Sequence, residues 1–162
     1  MLFRSIMNLK RQNRLLSDFE ELKSAFANDK HVDIIAIGRT PIEKYRIVFK
    51  VPALHLDSSG DPISVEKTVI EIQMPKDYPK ISPVAKTIAG DVVFHPNFNS
   101  QKICLMDNWY PTAQISDLVR EIGDMLQWRK FNIRAPLNAI AAEWSQKNRK
   151  KIPLSNHLLG TL

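Results

Sequence analysis

The stretch FHPNFNSQKICLMDNWYP, Phe94 to Pro111, contains the chain's only cysteine, Cys104, and a His-Pro-Asn triplet. The triplet's asparagine, Asn97, stands seven residues before the thiol. A lone cysteine between Ile103 and Leu105 has a bland reading as a small buried apolar residue. Its other reading is a nucleophile. A cysteine hydrolase would add a histidine base, and His95 is the nearest one, but the following Pro96 restricts its backbone to an extended or turn conformation. Asn97 suits a different chemistry. An amide N–H donates without giving up a proton, so it can stabilise a developing oxyanion. A thiol with an amide donor and no obvious base fits acyl transfer through a thioester, where the attacking amine brings its own nucleophilicity.

Other chemistries find little support. His31, His55, His95 and His157 are scattered without metal-ligand spacing, which gives the expectation of no metal. The five glycines form neither a phosphate-cradling loop nor a dinucleotide fingerprint, and no Gly-x-Ser-x-Gly elbow is present. A single cysteine cannot close an internal disulfide, which suits a reducing compartment. No apolar run approaches a membrane span. The start, MLFRSIMNLKRQNR, is too interrupted by Arg4, Asn8 and Lys10 for a signal-peptide core. The expectation is a cytoplasmic protein with no membrane partner.

The elements that must position the thiol are legible as periodicities. The 162 residues, 44% hydrophobic and 25% charged, fit one globular domain. Leu15, Phe19, Leu22 and Phe26 mark one face of a first helix ended by NDKH. VDIIAIG, KYRIVFKV, TVIEIQM and PVAKTIA read as four extended runs, for which an antiparallel meander is the economical arrangement. Ala89 to Thr112 shows no period, so the thiol falls in a long loop of the kind that carries function. Ile115, Leu118, Val119, Ile122, Met125 and Leu126 trace a second helix, and Leu137, Ile140, Ala141 and Trp144 a third. The final RKKIPLSNHLLGTL has no clear period.

The net charge of +6 is uneven. Arg4, Lys10, Arg11 and Arg14 precede the first acidic residue, Asp18, and Lys147, Arg149, Lys150 and Lys151 form a second excess. Such ends attract nucleic acid or an acidic protein surface, or simply solvate the fold. No base-stacking pattern of aromatic residues interleaves with the cations, which disfavours nucleic acid.

The order of these pieces resembles the ubiquitin-conjugating enzyme (UBC) family. The resemblance rests on the basic helix LKRQNRLLSDFEEL, the segment YPKISPVAKT, FHPN seven residues ahead of ICL, Trp109-x-Pro111 before a helix, and APLNAIAAEW. It implies an α+β UBC-like fold: an N-terminal helix, a four-stranded antiparallel sheet, an active-site loop and C-terminal helices. Residues 1–150 would form the catalytic domain and 151–162 a C-terminal tail. Cys104 would take the C-terminal carbonyl of a ubiquitin-like modifier protein from an activating enzyme and pass it to a lysine of a protein substrate, with no cofactor at this step. Asn97 would support the tetrahedral intermediate or hold the active-site loop. His95 and Pro96 would be structural, and Trp109 would brace the loop. Arg4, Lys10, Arg11 and Arg14 would dock the activating enzyme.

The sequence also departs from the family. Many members place an acidic or serine residue just before the later Pro-Leu to help the incoming lysine, and here Ala135 stands there, preceded by Arg134. Asp107, Asn108 and Asn132 are the candidate substitutes. The short loops look most like bacterial relatives, including those of antiphage conjugation systems. Two alternatives come from other classes: a catalytically inactive UBC-like binding module, and a basic nucleic-acid-binding domain.

Overall fold

A computed structural model of the chain describes residues 1–105 and 108–160. The first helix, α1 (Leu2–Phe26), is longer than its core-facing stripe. Its sequence is rich in Leu, Arg, Lys and Glu and free of Gly and Pro, so nothing breaks it. Leu15, Leu22 and Phe26 are buried, whereas residues before Arg11 are exposed.

The four runs read from the sequence form one antiparallel sheet. They are β1 (Val32–Ile37), β2 (Lys44–Phe49), β5 (Thr68–Gln73) and β6 (Val84–Thr87), in the order β1-β2-β5-β6. The register sets Tyr45 opposite Ile72 and Ile47 opposite Ile70, so one face is apolar and fully buried. The period-2 alternation of KYRIVF and TVIEIQ dictates this, since successive side chains leave opposite faces. On the outer face Glu71 is shared by Lys44, Arg46 and Lys86 at 3.5–3.7 Å.

Two strands went unseen in the sequence. Between β2 and β5 lies a hairpin of β3 (Ala53–Leu56) and β4 (Pro62–Val65), so DSSGDP is its turn and not a plain break. Asp57 Oδ1 accepts the N–H groups of Ser59 and Asp61 and closes that turn.

Helix α2 (Ile115–Leu126) buries most of one side against the sheet core, and α3 (Ala139–Lys147) starts at Asn138, whose side chain accepts the Ala141 N–H at 3.0 Å. Ile140, expected on the buried stripe of α3, is exposed, because Ala141, Ala142 and Ser145 make the contact face instead. Among the described residues no helix is long and apolar enough to cross a membrane.

The C-terminal segment is sewn onto the domain. Gln127 is fully buried; its Nε2 donates to the His157 carbonyl at 3.0 Å and its Oε1 accepts the His157 N–H at 3.1 Å. Leu159, 5% exposed, joins the main core, and the Gly160 N–H reaches Asp29 at 2.7 Å. Leu159→Ala is expected to lower unfolding free energy by about 3 kcal/mol, as for other buried Leu→Ala changes. Urea titration followed by far-ultraviolet circular dichroism measures this; a loss below about 0.5 kcal/mol would mean that the segment adds nothing to the core.

Candidate active site

The seven-residue spacing between Asn97 and Cys104 is the geometry of a small antiparallel loop. Phe98 and Ile103 form a bridge, and the Asn99 N–H donates to the Lys102 carbonyl at 3.1 Å. Asn99 Oδ1 accepts the N–H groups of Gln101 and Lys102 at 2.8 and 2.9 Å, so one asparagine side chain turns the chain back on itself. The Cys104 N–H then meets the Asn97 carbonyl at 2.8 Å. Residues seven apart in sequence become cross-strand partners.

Two anchors hold this loop to the scaffold. Leu56 N–H donates to Val92 and Phe94 N–H to Leu54, both at 2.8 Å, which ties the approach to β3. The Ile103 N–H donates to the Ala85 carbonyl at 3.0 Å, which ties the cysteine strand to β6. Cys104 itself is half-buried with a free thiol, and its Sγ lies 3.9 Å from the Leu105 carbonyl.

Asn97 is 1% exposed and its amide is engaged on both sides. Nδ2 donates to the Cys104 carbonyl at 2.9 Å, and Oδ1 accepts the Asn132 N–H at 2.9 Å. The loop carrying Asn132 is thereby pinned to the cysteine strand. Asn132 Oδ1 in turn accepts the N–H groups of Arg134 and Ala135 at 3.0 and 3.1 Å, an Asx turn whose oxygen faces its own backbone. The Pro96 carbonyl accepts the Asn138 N–H at 3.0 Å, so the triplet also fixes the start of α3.

His95 is equally enclosed, at 1% exposure. Its Nδ1 accepts the Asn97 N–H at 3.0 Å, which leaves the proton on Nε2. Burial pulls its pKa down to about 3, and the Lys130 backbone offsets only part of that. A neutral, sealed imidazole is a poor proton shuttle and a good strut.

Trp128 is the site residue that the sequence did not reveal. The Arg129 N–H donates to Asp124 and the Trp128 N–H to Met125, at 2.8 and 2.9 Å, which is a Schellman ending of α2 with Trp128 in the place glycine favours. Its φ is 57°, a left-handed conformation that costs a bulky residue about 1 kcal/mol or more. Packing holds it there: the indole lies 4.6 Å from the His95 ring and 5.6 Å from Phe131, centroid to centroid. A tryptophan in a glycine position gives no sequence signal.

The remaining expected residues divide. Asn108 is exposed, next to half-buried Trp109, whose Nε1 donates to the Pro79 carbonyl at 2.7 Å. Asp107 lies outside the described residues. Arg4 and Lys10 are exposed on the leading turns of α1, away from the core. Arg11 is turned inward to Glu43 and the Pro75 carbonyl, and Arg14 to Asp18 and the carbonyls of Pro111 and Ala113.

The leading helix, the four-stranded antiparallel sheet and the trailing helices are those of a ubiquitin-conjugating fold. A model of the ubiquitin-conjugating enzyme family matches residues 59–154, more than half of the chain, so the chain belongs to that family. Among solved structures, the E2 domain of a Toxoplasma gondii ubiquitin conjugating enzyme is similar at a TM-score of 0.60 and 23% identity, covering 86% of this chain and 89% of that one. No match is found among curated proteins.

The His95 environment has a measurable consequence. Its folded-state pKa lies below the ordinary value near 6.5, so its contribution to stability is complete above pH 6.5 and is lost as pH falls toward 3. His55, also lowered by burial and partly restored by Asp91, acts in the same direction. Between pH 6.5 and 4, His95→Gln should show a stability-versus-pH slope shallower than the parent's by up to about 1.4 kcal/mol per pH unit. Urea midpoints at four pH values test it, and parallel slopes would show that the ring titrates normally.

Proposed function

We propose that the chain carries a ubiquitin-like protein as a thioester on Cys104 and transfers it to a lysine of a protein substrate. The observation supporting this is the pairing of Asn97 with Cys104, which presents a half-buried thiol on a loop held from both sides. In the loading step the Cys104 thiolate attacks the carbonyl of the modifier's thioester on an activating enzyme. A new C–S bond forms and the activating enzyme's thiolate leaves. In discharge a lysine amine attacks the same carbonyl, the Cys104 thiolate departs, and the amine's surplus proton goes to solvent or a nearby base. The short loops support placing the chain among bacterial conjugation systems, antiphage ones included, acting in the cytoplasm.

On this reading Asn97 acts first as the holder of the loop, since its amide bonds the Cys104 carbonyl and the Asn132 N–H. Asn132 is committed to its own turn, which leaves Asp107 and Asn108 as candidate helpers for the lysine.

Mixing the chain with a bacterial modifier, its activating enzyme and ATP should give an adduct on a non-reducing gel that dithiothreitol removes. Cys104→Ala should abolish it and Cys104→Ser should give a reductant-resistant ester. An adduct that survives Cys104→Ala would reject the assignment.

Asn97→Ala leaves two half-buried backbone groups unpaired, so it should cost about 1–3 kcal/mol of stability and slow loading and discharge together. Discharge falling alone would instead assign the amide to the oxyanion. Asp107→Ala should slow discharge to free lysine about tenfold with loading unchanged, if that carboxylate serves as base; equal discharge rates would remove it from the mechanism.

A further inference from the structure

Arg14 sits on α1, far in sequence from the thiol, yet its contacts lead straight to the segment that follows Cys104. Its Nε donates to both oxygens of Asp18, at 2.8 and 3.0 Å, one turn along the same helix. Nη1 donates to the Pro111 carbonyl, and Nη2 to the Ala113 carbonyl at 2.6 Å. The guanidinium side chain is 22% exposed and Asp18 only 8%. A planar fork with five N–H donors can serve a carboxylate and two carbonyls at once, which a lysine ammonium on a single stem cannot do.

Asp18 extends the network. It accepts the Tyr78 hydroxyl, and the Tyr78 ring lies 5.9 Å from the Trp109 ring. The Arg14 guanidinium carbon stands 5.3 Å from the centre of the Tyr78 ring. Burial, followed by the bond to Asp18, raises the Tyr78 pKa, so the phenol keeps its proton and remains a donor. Trp109 completes the circuit through its bond to the Pro79 carbonyl. Asn108 to Ala113 is therefore gripped at two of its carbonyls by Arg14 and at its tryptophan by Tyr78 and the Pro79 carbonyl.

We propose that Arg14, Asp18 and Tyr78 are positioning residues for the Asn108–Ala113 segment that follows the thiol in the chain, so that α1 helps to set the geometry of the active loop. This rests on the thioester reading above and changes the role of Arg14 from a docking charge to an internal brace. The two roles differ in kinetics. A docking arginine, when lost, raises the KM for the activating enzyme and leaves discharge alone. A bracing arginine, when lost, leaves that KM and lowers kcat and the discharge rate, because misplacing reactive groups by an ångström is enough to slow chemistry strongly.

Arg14→Lys keeps a cation beside buried Asp18 and so preserves folding, but it breaks the fork. Tyr78→Phe removes only the hydroxyl and keeps the ring on Trp109. In Arg14→Lys, amide exchange over residues 108–113 should quicken about tenfold with β2 and β5 unchanged. Discharge of the Cys104 thioester to free lysine should fall about tenfold at constant KM for the activating enzyme. Tyr78→Phe should move both readouts in the same direction by less. Unchanged exchange in both variants would overturn the brace, as would equal acceleration throughout the sheet or a rise in KM alone. If the parent forms no thioester, the exchange arm still decides the brace, and it is the proposed function that fails.

Discussion

A buried asparagine amide with a partner at each end is the constraint on which this structure turns. Removing an amide from water is unfavourable unless its hydrogen bonds are replaced. Asn97 replaces them with the carbonyl of the cysteine strand and the N–H of Asn132. Neither partner belongs to a regular element, so the amide adds a tie that no helix or strand supplies. The same triplet gives its proline carbonyl to the first residue of the α3 cap and its histidine ring to the Asn97 N–H. Three chain segments meet at one enclosed point.

The charges follow a similar economy. The leading helix is basic, and a count of its cations suggests a surface built to attract an acidic partner. Of the four that precede Asp18, half are otherwise employed. Arg11 holds Glu43 and the Pro75 carbonyl and Arg14 the carbonyls of Pro111 and Ala113, whereas Arg4 and Lys10 face outward. An exposed ion pair contributes little to stability, while a partly buried guanidinium with several acceptors contributes geometry as well as energy. Net charge speaks to what a surface attracts; it does not say which charges are on the surface.

How far this was legible in the sequence depended on the range of the interactions. Strands β2 and β5 and helix α2 announce themselves because their burial repeats at a fixed period along the chain. The β3–β4 hairpin does not, because Ala53–Leu56 is short and its first three residues are all buried, with no alternation to see. The loop was visible only as an absence of period. Its order comes from single side chains, Asn99 folding it and Asn97 fastening it to residues thirty-five positions away. The family motifs identified Cys104 and Asn97 as a pair. They could not show that Trp128 would occupy a left-handed cap to pack on His95, nor that Arg14 would point inward, since both depend on contacts between distant segments.

Ala135 gives this arrangement its significance. A lysine with an ordinary pKa near 10.4 must give up roughly 4–5 kcal/mol to present a neutral amine at pH 7. In many relatives a side chain at this place shares that burden, and a methyl group cannot. An asparagine such as Asn108 can orient an amine but cannot accept its proton. On the proposed reading, more of the barrier must then be lowered by holding the thioester and the acceptor in the reactive geometry, which well-oriented groups can do to the extent of several kcal/mol. That demands a stiff loop. On that reading the asparagine clasp and the arginine brace supply the stiffness, so that less is asked of whichever group takes the proton.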